Sequence, residues 1–484
     1  MPESGRRVDE TPTQPSADQP AWPYPFPREE WEQLPPGVRA YITALRQRLE
    51  QLEARLDRNS KNSNQPPSAD SPFQKPASSE ESSEEKSHRK PGGRKGHKGH
   101  RHAFLVPDRV LNYLPERCTC GATDIEGLKV YYVHQQVELP EIKPDVTHHC
   151  LHEGTCTTCG RAVQACRNQI PPADRLGFGP RMTAFVALMA GVLGASRREI
   201  QRLLADVFEV PASLGGIQKS IDRASDATEP HHQTIGEIAR SDAVNHIDET
   251  SWHSQRGSQV MLRWLWVMAN KTVAFFRLLP GRSRKDFEAL IGAWTGILIS
   301  DDYGLYRNWV NLHQTCLAHL IRKAQKLAES ADPIIAHFGR RVRAELKLAC
   351  RMGRPEHGPP TVGQWNAHYM RVVNLLFDHN ERTDEAGKLA KALVRQLDSL
   401  WVFLEVHGVD PTNNRAERAL RYPVTLRQHG QGTKSDKGEI WIERILSLRE
   451  TCRLQGQRCF PVLVDALRAH FERRAPDLSW LPVS

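Results

Sequence analysis

The sequence predicts a multidomain α+β protein whose centre is a mixed β-sheet domain carrying a long helical insertion. Three observations predict it. From Ser241 the chain alternates short β-rich runs with one capped amphipathic helix. From about residue 323 to 405 the strand signal disappears and amphipathic helix takes over. Ahead of residue 176 the composition shifts repeatedly, from Pro-rich to Ser-rich and acidic, then to basic, then to cysteine-bearing. At 484 residues the chain should hold about two or three folded units plus tails, and 39% apolar residues suffice for a core.

Residues 1–38 hold many prolines and no periodicity and are expected to be disordered. In 39–58, Ile42, Leu45, Leu49, Leu52 and Leu56 recur at spacings of three and four. That is an a/d seam, suited to a short coiled coil for self-association or to a helix packed on its own protein. Residues 59–103 have linker composition and end in SHRKPGGRKGHKGHRH, with six Lys or Arg, four His and no acid. Arg89, Lys90, Arg94, Lys95, Lys98 and Arg101 read either as a solvated charge run or as contacts to a DNA backbone, with glycines allowing close approach. The net charge of +9 favours a polyanionic partner in the same way.

Residues 104–170 carry Cys118-Thr-Cys120 and Cys156-Thr-Thr-Cys159-Gly160. A knuckle of this kind can turn two thiolates toward one Zn²⁺, so Cys118, Cys120, Cys156 and Cys159 are the candidate zinc ligands. The first pair is one residue short of the usual spacing. His148, His149, Cys150 and His152 are alternative ligands, and buried free thiols are the plain reading. Tyr131–Pro140 alternates like a strand. The first 20 residues lack an apolar signal-peptide core, and Met182–Ala195 is too short to cross a bilayer, so a cytoplasmic chain with reduced thiols is expected.

Residues 176–232 read as helical. Ser196 caps a helix with Ile200, Leu203, Leu204 and Val207 on one face, Pro211–Gly216 breaks it, and Ile217–Ala224 continues. This suits a DNA-binding helix-turn-helix or any helical hairpin.

Residues 240–454 follow as the sheet domain. Ala243–Ile247 leads into Asp248, Met261–Met268 and Thr272–Leu278 form a hairpin, and Ser283 caps a helix bearing Phe287, Leu290 and Trp294. Gly296–Ile299 is a short strand ending at Asp301 and Asp302. This is the order of an RNase H-like fold, which brings an acid on the first strand beside an acid after the fourth. Paired carboxylates hold hard cations such as Mg²⁺, which serve in-line displacement at phosphorus. Glu417, in the first turn of a helix starting near Asn414, is the candidate third acid; it could instead complete a capping box with Asn414. Glu249 should face the opposite side of its strand from Asp248. Cys316-x-x-His319 reads as core plus a DNA-facing histidine, or as a metal pair. Arg415, Arg418, Arg421 and Arg427 surround Glu417, as a solvated helix face or as phosphate contacts. Residues 455–484 close the chain with helix, after a stretch from Ile440 to Leu454 that also reads as helical.

The stretches RNSKNSNQPPSAD, RKPGGRKGHKGH, CTTCGR, HIDETSWH, SDDYGLY, TCLAHLIRK and PTNNRAERALR, in this order, resemble the insertion-sequence 66 transposase family. The resemblance runs from about Leu45 onward. It implies a DDE-type catalytic domain with Asp248, Asp301 and Glu417 as its triad, and Mg²⁺ or Mn²⁺ as cofactor. Asp302 stands where that family usually has glycine, which makes it the alternative to Asp301. The implied activity is strand cleavage and strand transfer at the terminal inverted repeats of a bacterial mobile element. Implied partners are the transposon ends, target DNA, a second copy of the chain and small accessory proteins. An inactive DNA-binding relic or repressor, or a nuclease without strand transfer, would share the fold.

Overall fold

The computed structural model describes residues 28–56, 103–354, 356, 358–430 and 432–482. The basic segment with Arg89, Lys90, Arg94, Lys95, Lys98 and Arg101 lies outside them. Helix α1 (Arg28–Gln33) precedes α2 (Pro36–Leu56), which contains the expected heptad stretch. Leu45 and Leu49 on that seam are exposed. The cysteine segment is mostly irregular, with one small hairpin of β1 (Glu153–Thr155) and β2 (Ala162–Gln164). Tyr131–Pro140 is not a strand: its alternation is real, but among the described residues no neighbour pairs with it, and an unpaired strand leaves its backbone groups unsatisfied.

Helices α3 (Pro180–Ala187), α4 (Arg197–Phe208), α5 (Leu214–Ala227) and α6 (Glu229–Ser241) follow. Ser196 closes a capping box with Glu199, which fixes the start of α4. Then come β3 (Val244–Arg256), β4 (Gln259–Ala269), β5 (Ala274–Leu279), α7 (Arg284–Ile291), β6 (Ile297–Ser300) and β7 (His313–Thr315). Strand β3 is longer than its apolar residues suggested, so Asp248 sits within the strand and not at its end. The polar run Asp248–Arg256 stays extended because β4 pairs with it along its whole length, through a two-residue turn at Gly257-Ser258. Gly257 has φ +59°, the conformation such a tight hairpin needs. Helix α7 ends at Gly292 (φ +60°), so Trp294 lies beyond it.

The sheet order is β5-β4-β3-β6-β7, with β3, β4 and β5 antiparallel and β6 and β7 parallel to β3. This is a mixed RNase H-like sheet. The insertion holds α8 (Leu317–Ala328), α9 (Pro333–Met352), α10 (Val362–Asn380), α11 (Glu385–Val394) and α12 (Val402–Glu405), around a core that includes Phe338, Leu346 and Leu376 and extends to Ile299 of β6. The chain closes with α13 (Asn414–Gly430), α14 (Asp436–Leu454) and α15 (Cys459–Glu472).

Period-two alternation divides the sheet's side chains between two cores. Trp252, Leu265, Val267 and Phe276 pack with α3, α5, α13, α14 and α15. Ile247, Trp266, Met268 and Phe275 pack with α6 and α7. Each such large side chain, fully buried, contributes roughly 2–3 kcal/mol of transfer free energy. Asp248 therefore lies on the α13 side of the sheet and Glu249 on the α7 side. Among the described residues no helix is long and apolar enough to cross a membrane.

Candidate active site

A cleft of about 480 Å³ is lined by Asp248, Asp301 and Glu417 together. Asp248 reaches it from β3. Asp301 follows β6, which pairs in parallel with β3 through Val244↔Ile297 to His246↔Ile299. Glu417 comes from the first turn of α13. Asn413 ties β3 and α13 to the start of α8. Its side-chain amide donates to the Ile247 carbonyl at 2.9 Å, and its backbone N–H donates to Cys316 Sγ at 3.1 Å. A fully buried asparagine thus fixes the residue before Asp248, the start of α8 and the start of α13. Sequence reasoning passed over Asn413; its place directly before the helix carrying Glu417 was the available signal.

The capping-box role does not hold. Asn414 is already the first helical residue, so Glu417 stands one position past the third helical residue that a capping box uses, and its N–H bonds to the Asn413 carbonyl. Glu417 Oε1 is left buried without a hydrogen-bond partner. It lies 3.6 Å from His319 Nδ1 and 3.7 Å from Arg322 Nη2.

Burial, with Glu249, Asp301 and Glu417 nearby, holds the Asp248 carboxyl well above the ordinary carboxylate range. Burial also raises Asp301, against a hydrogen bond from the Tyr303 N–H at 2.9 Å. Like charges so placed favour a cation between them. Asp302 is different: Arg307 at 3.1 Å and Lys323 at 3.0 Å already neutralise it. Glu249 is held on the opposite face by Arg282 and the Tyr306 hydroxyl.

Arg322 and Lys323 also line the cleft. They follow His319 by three and four residues, so helical spacing alone puts them on one face. Arg421 lines the cleft and is exposed, as is Arg418. Arg415 is turned to Asp410 at 3.2 Å, and Arg427 straps α13 to Thr250 and Ser251 of β3.

Among the described residues, Cys316, His319 and Glu417 are the group whose ligand atoms all lie within 4.8 Å, and such a group can coordinate a metal ion. The three acids line the cleft without converging to that distance. Burial, then Arg322 and Lys323, lowers His319 to about 3, which keeps its imidazole neutral. Burial pushes the Cys316 thiol up to about 12.

Cys118, Cys120, Cys156 and Cys159 are not gathered into one such group. Each pair nonetheless sits in a tight turn closed by glycine at positive φ, Gly121 at +93° and Gly160 at +70°. Backbone amides of Cys120 and Cys159 lower the Cys118 and Cys156 thiols.

A five-stranded sheet of this order, with acids from three elements in one cleft, defines an RNase H-like protein with the makings of a metal-dependent enzyme. Residues 175–439, more than half of the chain, match the Transposase IS66 family. The chain belongs to that family, and the match contains Asp248, Asp301 and Glu417. Residues 24–103 match a separate family of unknown function, DUF6444, and the cysteine segment falls between the two matches. The chain is 28% identical over 186 residues to the uncharacterized protein y4jO of Sinorhizobium fredii (strain NBRC 101917 / NGR234). That alignment covers 37% of this chain and 55% of the relative, so the chain spans about half of that curated relative's length.

Proposed function

We propose that this chain is a DDE-type DNA transposase that cuts and joins DNA at the terminal inverted repeats of its own insertion sequence. The observation that carries the proposal is the meeting of Asp248, Asp301 and Glu417, from β3, the end of β6 and α13, in one cleft of an RNase H-like domain. The crowding of buried carboxylates there fits a hard cation. Asp248, Asp301 and Glu417 would hold Mg²⁺ or Mn²⁺, which supplies charge stabilisation and an activated water or 3′-hydroxyl for in-line displacement.

The chain's own residues supply position and charge. Arg322 and Arg421 line the cleft and would meet phosphate oxygens there, Arg418 is exposed on the same helix as Arg421 and would add to them, and Lys323 both faces the cleft and neutralises Asp302. Asn413 keeps the elements bearing Asp248 and Glu417 in register. The basic segment with Arg89, Lys90, Arg94, Lys95, Lys98 and Arg101, and a zinc module on Cys118, Cys120, Cys156 and Cys159, would add affinity for DNA ends. Synapsis of two ends requires at least two copies, which α2 would help to pair, and small accessory proteins of the same element are possible partners.

The test is strand cleavage and joining on DNA bearing the element's own end, with Mg²⁺ or Mn²⁺, for wild type and Glu417→Gln. Cutting and joining by wild type alone, with binding retained by both, is the expected result. Equal cutting by both proteins would overturn the assignment of Glu417.

A further inference from the structure

We propose that Cys316, His319 and Glu417 form a second cation site, selective for thiophilic ions of the zinc class, that shares Glu417 with the acid cleft. Three observations carry it. The donor atoms already lie within 4.8 Å of one another. Two of them, His319 Nδ1 and Glu417 Oε1, are buried polar atoms with no hydrogen-bond partner, and His319 is only 9% exposed. Leaving buried polar atoms in that condition is costly, and a shared cation would relieve it. The third donor, Cys316 Sγ, is fully buried and is fixed in place by accepting the Asn413 N–H at 3.1 Å.

Sulfur, imidazole nitrogen and carboxylate oxygen together suit Zn²⁺ and not Mg²⁺, which wants oxygen alone. Zinc bonds of about 2.0–2.3 Å would draw the three donors together by roughly an ångström. The thiol proton would leave to solvent as the ion binds. Arg322 Nη2, 3.7 Å from Glu417 Oε1, faces the site and must swing toward the open cleft; Lys323 is already turned to Asp302.

Because the sites share Glu417, occupancy of one weakens the other. On the reading of the cleft given above, a thiophilic ion is therefore an inhibitor of cutting. The proposal is tested without DNA, by equilibrium dialysis of the full chain against Zn²⁺ in excess Mg²⁺. Wild type should hold one more equivalent than Cys316→Ser, and His319→Gln should match Cys316→Ser. Both variants should keep the wild-type circular dichroism spectrum; should Cys316→Ser not fold, His319→Gln carries the comparison. A second readout is sulfur-to-metal charge transfer with Co²⁺, one band of which should vanish in Cys316→Ser. Equal zinc content and unchanged cobalt spectra in wild type and variants would overturn the site. Failure of Glu417→Gln to affect cutting would overturn the transposase triad instead, and has no bearing on the zinc count of wild type against Cys316→Ser and His319→Gln.

Discussion

The cysteine segment and the sheet domain belong to one chain but hold their shape by different means. In the sheet domain Ile247, Trp266 and Met268 are fully buried. In the cysteine segment Val106 is 94% exposed and Tyr131 95% exposed, and its short hairpin is exposed throughout. The first region folds by burying its own apolar surface. The second buries almost none of its own, so an apolar core does not hold it; the zinc module proposed on its two glycine-closed cysteine turns would supply a metal in place of one. Chemistry that needs fixed geometry sits in the self-sufficient region.

Predictions that break or sharpen this contrast run from large to small. Asp301→Asn should lose cutting by about a thousandfold or more, because oriented charge supplies several kcal/mol of the barrier reduction. Its melting temperature should hold or rise, since a like charge near Asp248 is removed. Single-turnover cleavage and a thermal melt check both; a dead Asp302→Asn beside an active Asp301→Asn would move the site by one residue.

Trp266→Ala should destabilise the sheet domain by about 3–5 kcal/mol in denaturant unfolding. Next comes pH. Burial lowers His231 to about 4, below its unfolded value of 6.5. The unfolded chain then takes up this proton first, so stability is complete above pH 6.5 and is lost as pH falls toward about 4. His231→Leu should flatten that slope by up to about 1.4 kcal/mol per pH unit. A slope unchanged by the substitution would show that His231 takes up its proton as readily in the fold as in the unfolded chain.

At the small end, Tyr131→Ala should change the sheet domain's stability by less than about 0.5 kcal/mol. Chelation should likewise leave the sheet domain's melt in place while residues 104–170 become sensitive to protease. Loss of both together would mean that the two regions fold as one unit.

The sequence made the central frame legible where burial dictates pattern. The strands leading to Asp248 and Asp301, the capped helix at Ser283 and the strand-poor insertion all follow from apolar period. The far half of β3 was hidden because Asp248–Arg256 is polar on a strand that lines a cleft, although Gly257-Ser258 marks the hairpin that extends it. Tyr131–Pro140 failed for the opposite reason: alternation creates a surface for pairing but not the partner. The tie through Asn413, and the approach of Cys316 and His319 to Glu417, join residues about a hundred positions apart, and local pattern says nothing about such meetings.

The insertion leaves and rejoins the sheet at one point. Leu317, its first helical residue, donates its N–H to the Pro411 carbonyl at 2.9 Å, beside the Asn413–Cys316 contact. Its ends are pinned side by side, so whatever lies between is a closed side branch. Doubling the length of such a branch adds only about 0.6 kcal/mol of closure entropy. The base is thus a socket: the loops beyond α8 can change length at small entropic cost, while the two hydrogen bonds at its mouth and those from Gln314 and Thr315 of β7 to Leu400, Phe403 and Gln396 keep the branch on the sheet.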